Sequence, residues 1–241
     1  MALPTSTFPR YVALAIALAC GGVGTAHAQN VTLDEGTFRI TVAGRDVGRE
    51  TFSIKQSGPA ANASVNARGS VTIDSAGVAE ELSSVLQLTG ATLQPTAYNL
   101  RAARDQREEQ IAGRIVSGRF IAKIVSPTGE ELREYLASDR AVLIDRGIVH
   151  HYYFLARRMQ GESMKIPVII PRRGQQVTAT VQLRGEEEIT VGGQRITARH
   201  LVVTPAGGEE THLWVDAQSR VLRLEVPALR LDASRTAAPR N

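Results

Sequence analysis

Five histidines stand in this 241-residue chain, and four of them fall in two groups that could do chemistry. His150 and His151 are adjacent in "DRGIVHHYYFLARRM", Asp145 to Met159, which also carries Tyr152, Tyr153 and Phe154 in a chain only 5% aromatic. His200 and His212 flank "LVVTPAGGEET", and Trp214, the single tryptophan, follows two residues on. Imidazole can ligate a metal or carry a proton near neutral pH. A zinc pair on a helix needs two histidines one turn apart. Neither His150 nor His151 has such a partner, and adjacent helical residues point about 100° apart. They read as packing and surface residues.

The second group depends on a hairpin. If "PAGGE" closes one, His200 faces Trp214 and Val202 faces His212, so His200, His212 and Trp214 share a patch. The opposite face would carry Leu201, Val203, Leu213 and Val215, continued by Leu222 and Leu224, and reads as core. Two histidines without a placed carboxylate make a poor metal site, so none is expected. No nucleophile elbow, phosphate loop or cysteine–histidine set occurs. "GEEEI" offers three carboxylates, which a strand splits between its two faces. No catalytic residue and no cofactor is nominated.

The elements that must position these groups are mostly strands. "GTFRITV" sets Phe38, Ile40 and Val42 against Thr37, Arg39 and Thr41, and "RETFSIKQ" returns with Phe52 and Ile54 after the turn "AGRDVG". Further alternating runs are divided at "SAGV", "SGR", "PTGE", "GG", "PAGGE" and "AQS". "MKIPVIIPRRGQQ" carries prolines that suit an edge or connector. The exception is the aromatic stretch. Ile148, Tyr152, Leu155 and Met159 recur at helical spacing, with Asp145 as a candidate N-cap. The pattern predicts a mainly β domain, a single strongly curved antiparallel sheet or half-barrel of sequential hairpins, with one short helix over about 147–159.

The N-terminus is read separately. Arg10, the apolar "YVALAIALAC" and the small-x-small "AHA" predict a signal peptide, residues 1–28, cut between Ala28 and Gln29. Cys20, the sole cysteine, comes near a lipoprotein signal, but Ala17 stands where a larger aliphatic residue is preferred. Residues 29–232 then form one β-domain and 233–241 a flexible polar tail. The formal charge is +4, nearly all the basic residues are arginine, and opposite charges are interspersed. That excludes a clustered nucleic-acid surface, and no later segment reads as a transmembrane helix.

"GTFRITVAGRDVGRETFSI", "LQPTAYNL", "GEELREYLASDRAVLIDRGIVHHYYFLARRM" and "LWVDAQSRVLRLEVP" resemble exported bacterial proteins classed as domains of unknown function. The resemblance runs from about Glu35 to Pro227. It implies an envelope location, a curved antiparallel sheet with a short helix near its concavity, and no assigned catalytic residues. A more distant likeness in fold is to the periplasmic lipoprotein carriers. The expected role is non-catalytic: a cavity between sheet and helix binds an amphipathic, lipid-like envelope ligand or a partner. Tyr152, Leu155 and Met159 would line it, Arg157 or Arg158 would meet an anionic headgroup, and His151, His200, His212 and Trp214 are further candidates. The alternatives are a hydrolase using His151 or the His200/His212 patch, and an assembly protein working through a sheet edge.

Overall fold

The computed structural model describes residues 30–59, 62–75, 77–105 and 107–240; the leader 1–28 and Cys20 lie outside them. The first hairpin shows how the pattern becomes structure. β1 (Val31–Val42) buries Phe38 and Ile40, and β2 (Arg45–Ser57) buries Phe52 and Ile54. Their turn is only Ala43-Gly44, both with positive φ, as a two-residue turn matched to strand twist requires. The strands therefore run further into "AGRDVG" than the composition suggested.

Antiparallel pairing of sequence neighbours continues through β3 (Ser64–Ser75), β4 (Val78–Thr89), β5 (Gln94–Arg104), β6 (Arg107–Val116), β7 (Arg119–Ser126) and β8 (Gly129–Leu136), with longer loops before β3 and β5. After a short β9 (Val142–Leu143) and the helix α1 (Tyr152–Arg158), the chain resumes as β10 (Ser163–Ile170), β11 (Gln175–Val191), β12 (Gln194–Pro205), β13 (Thr211–Val215), β14 (Val221–Val226) and β15 (Leu231–Arg235). All fifteen strands among the described residues form one sheet, ordered β8 to β1, then β15 down to β9. The pairing is antiparallel except that β9 runs parallel to β10 across two residue pairs. Pro167 thus sits on a strand whose second neighbour covers little of it, as a proline in a sheet requires.

The sheet curls until its ends overlap. β8 touches β11, and β9 touches β5. β9 is fully buried while β8 is mostly exposed, so the β9 end lies inside and the β8 end outside. The main core fills the enclosed space, from Phe38, Ile54 and Tyr98 on one half to Leu201, Leu213 and Leu224 on the other.

The helix is shorter than its pattern predicts. Residues 147–151 form turns, and α1 begins after His151, not after Asp145. Tyr153, Phe154, Leu155 and Ala156 are all buried, so the helix is apolar around most of its circumference and occupies the sheet's interior as a plug. Leu155 is fully buried and Arg157 is exposed. Two further expectations are corrected. Residues 233–235 are not tail but part of β15, where Ala233 is buried and Arg235 pairs with the buried Asp34. Leu222 does not continue the core face, because a bulge opposite Trp214 and Val215 turns it outward into a small cluster with Val191, Ala198 and Trp214.

Candidate functional site

Three polar assemblies stand out, two inside the curl and one on its outer face. The first begins at Glu50, which shares the inward phase of Phe52 and Ile54 on β2 and is fully buried. Its carboxylate accepts the N–H of Val149 at 2.6 Å and the N–H of His150 at 3.0 Å, and meets His150 Nδ1 at 2.6 Å. The His150 ring stacks on Phe52 at 5.5 Å. Gly69 of β3 makes room for it, since a Cβ there would lie 2.4 Å from His150 Cε1. One carboxylate therefore holds the turn that leads into the plug.

The second centres on Asp145. Its Oδ2 accepts from the Tyr98 hydroxyl at 2.8 Å, and its Oδ1 accepts from Arg146 N at 2.8 Å and Arg172 Nε at 3.3 Å. Its own N–H donates to His151 Nδ1 at 3.2 Å. Burial, reinforced by the neighbouring His150 and Arg172, holds His151 well below the usual imidazole range, so the ring is neutral. Burial and the charge of Asp145 push the Tyr98 hydroxyl well up. Both tandem histidines are buried, neither at the surface, and both are fixed by their δ nitrogens.

Beside this plug lies a cavity of about 480 Å³. Leu82, Ile148, Val168, Val203 and Leu224 give it apolar walls, and Arg104, Arg146, Arg172 and Arg173 stand around it with Glu80 and Glu209. A larger concavity of about 710 Å³ lies between the far end of β11 and strands β14 and β15 on the outer face. It is more open and lined by charged groups such as Arg223, Arg230 and Asp232, so the interior cavity is the better pocket for an apolar ligand.

Of the residues nominated as lining, only Tyr152 reaches the interior cavity. Leu155 is sealed in the core and Met159 packs half-buried against it. Arg157 is exposed elsewhere, and Arg158 donates to the carbonyls of Arg140 and Leu93, tying down the helix end. The cations at the cavity come instead from "PRR" and from Arg104 and Arg146. Sequence reading missed Glu50, although its place in the apolar phase of β2 was a signal.

The third assembly is the outer patch. The register is the one expected, with His200 opposite Trp214 and Val202 opposite His212. His200 stacks on Trp214 at 4.6 Å, and His200 Nε2 lies 2.9 Å from His212 Nδ1. Carboxylates are present after all: Glu210 Oε1 is 2.9 Å from His212 Nε2, and Glu187 Oε1 is 3.4 Å from His200 Nδ1 and accepts from the Trp214 indole. Burial lowers the His200 imidazole from its ordinary value. No serine or threonine hydroxyl bonds any of the four histidines among the described residues.

These features define a β-barrel-like protein: one curled sheet, plugged by a short helix and clamped by buried polar groups. Residues 37–228 match the family described as "Protein of unknown function (DUF3108)", and the chain belongs to it. The fold is similar to that of the β-barrel-like protein of domain of unknown function DUF1849 from Brucella abortus, at 9% identity and a TM-score of 0.58. That match covers 86% of this chain and 98% of the other. A DUF1089 family protein from Pseudomonas aeruginosa matches at 13% identity and a TM-score of 0.43, over 75% of this chain and 90% of its own. No curated protein matches the chain in sequence. No helix among the described residues is long and apolar enough to cross a membrane.

Proposed function

We propose that the protein is exported to the periplasm and binds an amphipathic, lipid-like anionic ligand without catalysis. The observation that carries this reading is the interior cavity of about 480 Å³, apolar within and set with four arginines. Its size lies in the range of small-molecule sites, about 300–1,000 Å³. An acyl chain would lie against Leu82, Val203 and Leu224, and the headgroup would meet Arg104 and Arg173, both exposed. Arg172 is committed elsewhere, to Asp145, Glu80 and the Arg146 carbonyl. The export reading rests on the leader's charge, apolar run and cleavage pattern.

One experiment addresses both parts. Native mass spectrometry of the protein purified from the periplasm should give a chain beginning at Gln29 with a lipid-range adduct. Arg104→Glu with Arg173→Glu should lose the adduct while keeping the fold. A chain starting at an acylated Cys20 would refute the cleavage. An adduct-free protein that also fails to retain added fatty acid or lysophospholipid would refute the ligand reading.

A further inference from the structure

We propose that the open end of the curl docks on the surface of an anionic phospholipid bilayer, the turn Pro227–Leu229 entering the lipids and nearby arginines meeting their phosphates. This rests on the ligand reading above and adds where the ligand is exchanged. Antiparallel pairing from β1 to β6 and from β10 to β15, joined through β1 and β15, puts alternate hairpin turns at one end of the sheet. The interior cavity reaches that end, since its lining includes Ile73, Arg104, Ile170, Pro205 and Leu229.

Two turns at this mouth share one backbone. Pro171–Arg173 and Pro227–Leu229 are each a single 3-10 turn after an extended residue, Ile170 at φ −117° and Val226 at φ −119°. Each ends in a left-handed residue, Gly174 at φ 61° and Arg230 at φ 51°. They differ in what they carry. The first presents Arg172 and Arg173. The second presents Pro227, Ala228 and Leu229, all exposed, with Leu229 at 41%. Three exposed apolar residues in a row are out of place in water unless they have a use. Ala43 is also exposed and adjoins them, because its N–H donates to the Arg230 carbonyl at 2.7 Å. Arg230 holds the conformation that glycine takes in the twin turn, and strain of that kind marks positions where a side chain is needed.

The charge suits an anionic surface. Exposed Arg104, Arg146, Arg173 and Arg230 make no ion pair among the described residues. The cavity lining carries four arginines against Glu80, Asp145 and Glu209, and Arg230 makes five against three. Of other carboxylates at this end, Asp46 and Asp105 adjoin Arg45 and Arg107, Asp74 accepts from Gly77 N–H, and Glu210 faces His212. An inserted apolar group with cations around it is what holds a protein at a bilayer surface. A mouth pressed to the bilayer also lets an acyl chain pass without exposing its methylenes to water.

The full protein should co-sediment with vesicles of phosphatidylethanolamine and phosphatidylglycerol, and far less with phosphatidylcholine vesicles. Leu229→Trp should shift its emission to the blue on the anionic vesicles, whereas Val31→Trp, at the opposite end of β1, should not. Arg230→Gln should weaken binding about fivefold, the worth of one basic residue near an anionic surface. Ala228→Asp should weaken it further, with circular dichroism and the co-purified adduct unchanged in both. The proposal is overturned if anionic vesicles bring down no protein, if phosphatidylcholine works equally well, or if Val31→Trp shifts as Leu229→Trp does. Protein that keeps its adduct but ignores vesicles would overturn docking and leave the ligand reading standing. Docking by protein that retains no adduct would support this inference and count against that reading.

Discussion

Replacing Glu50 by alanine tests the idea that one buried carboxylate holds the plug. The change strands three donors: the N–H groups of Val149 and His150, and His150 Nδ1. Each buried donor left without a partner costs about 1–3 kcal/mol. These three are neighbours, so the penalties overlap, and breaking a buried charged contact typically costs about 3–5 kcal/mol. We expect a loss in that range, against a total domain stability of about 5–15 kcal/mol. Glu50→Gln keeps one acceptor oxygen and should fall between alanine and the parent. His150→Phe preserves the stack on Phe52 and both amide bonds to Glu50, and should cost less than Glu50→Ala. Urea denaturation followed by circular dichroism gives all four free energies. A Glu50→Ala effect within about 0.5 kcal/mol, the scale of ordinary surface changes, would refute the reasoning.

Two further outcomes follow from the same interior. Leu155→Ala should cost about 2–5 kcal/mol, as for other buried leucines, whereas Arg157→Ala should stay within about 0.5 kcal/mol; equal melting temperatures for the two variants would mean the helix is a lid and not a plug. His151 is kept neutral in the folded protein, so the unfolded chain takes up the extra proton below its ordinary pKa of about 6.5. Stability should therefore fall with pH below that point, by about 1.4 kcal/mol per unit from this group. His151→Asn, whose amide oxygen can accept from Asp145 N–H, should flatten that slope, and parallel curves for parent and variant would disprove the assignment.

Much of the fold was legible because hairpins are local. Period-two alternation placed Phe38 and Ile40, then Phe52 and Ile54, on one face, and the spacing around "PAGGE" fixed the His200–Trp214 register. What escaped is what depends on distant segments. "DASRT" looks polar and frayed by composition, yet Arg235 is covered by β1 and β14 and finds Asp34, a partner 201 residues away. The bulge at Leu222 inverts a face without any local mark. The plug was recognised as helical, but its buried histidines could not be read as such. The groups that hold their δ nitrogens, Glu50 and the Asp145 backbone, come from the opposite wall and from a turn.

The pairing of β1 with β15 also sets an order of events. Strands β1 to β8 can pair with their sequence neighbours as the chain is made, and so can β10 to β15. Only the seam between first and last strands joins the two ribbons along their backbones at the centre of the sheet, and it must wait for the C-terminal segment. Closing so long a loop costs only slightly more entropy than closing a short one, but such non-local contacts form slowly. During that interval the inner edge of β1 is unpaired, and Asp34, which will be buried against Arg235, has no counterion from that strand. An open edge is a template for pairing with another chain. The newly made protein is thus most exposed to aggregation just before its last strand arrives.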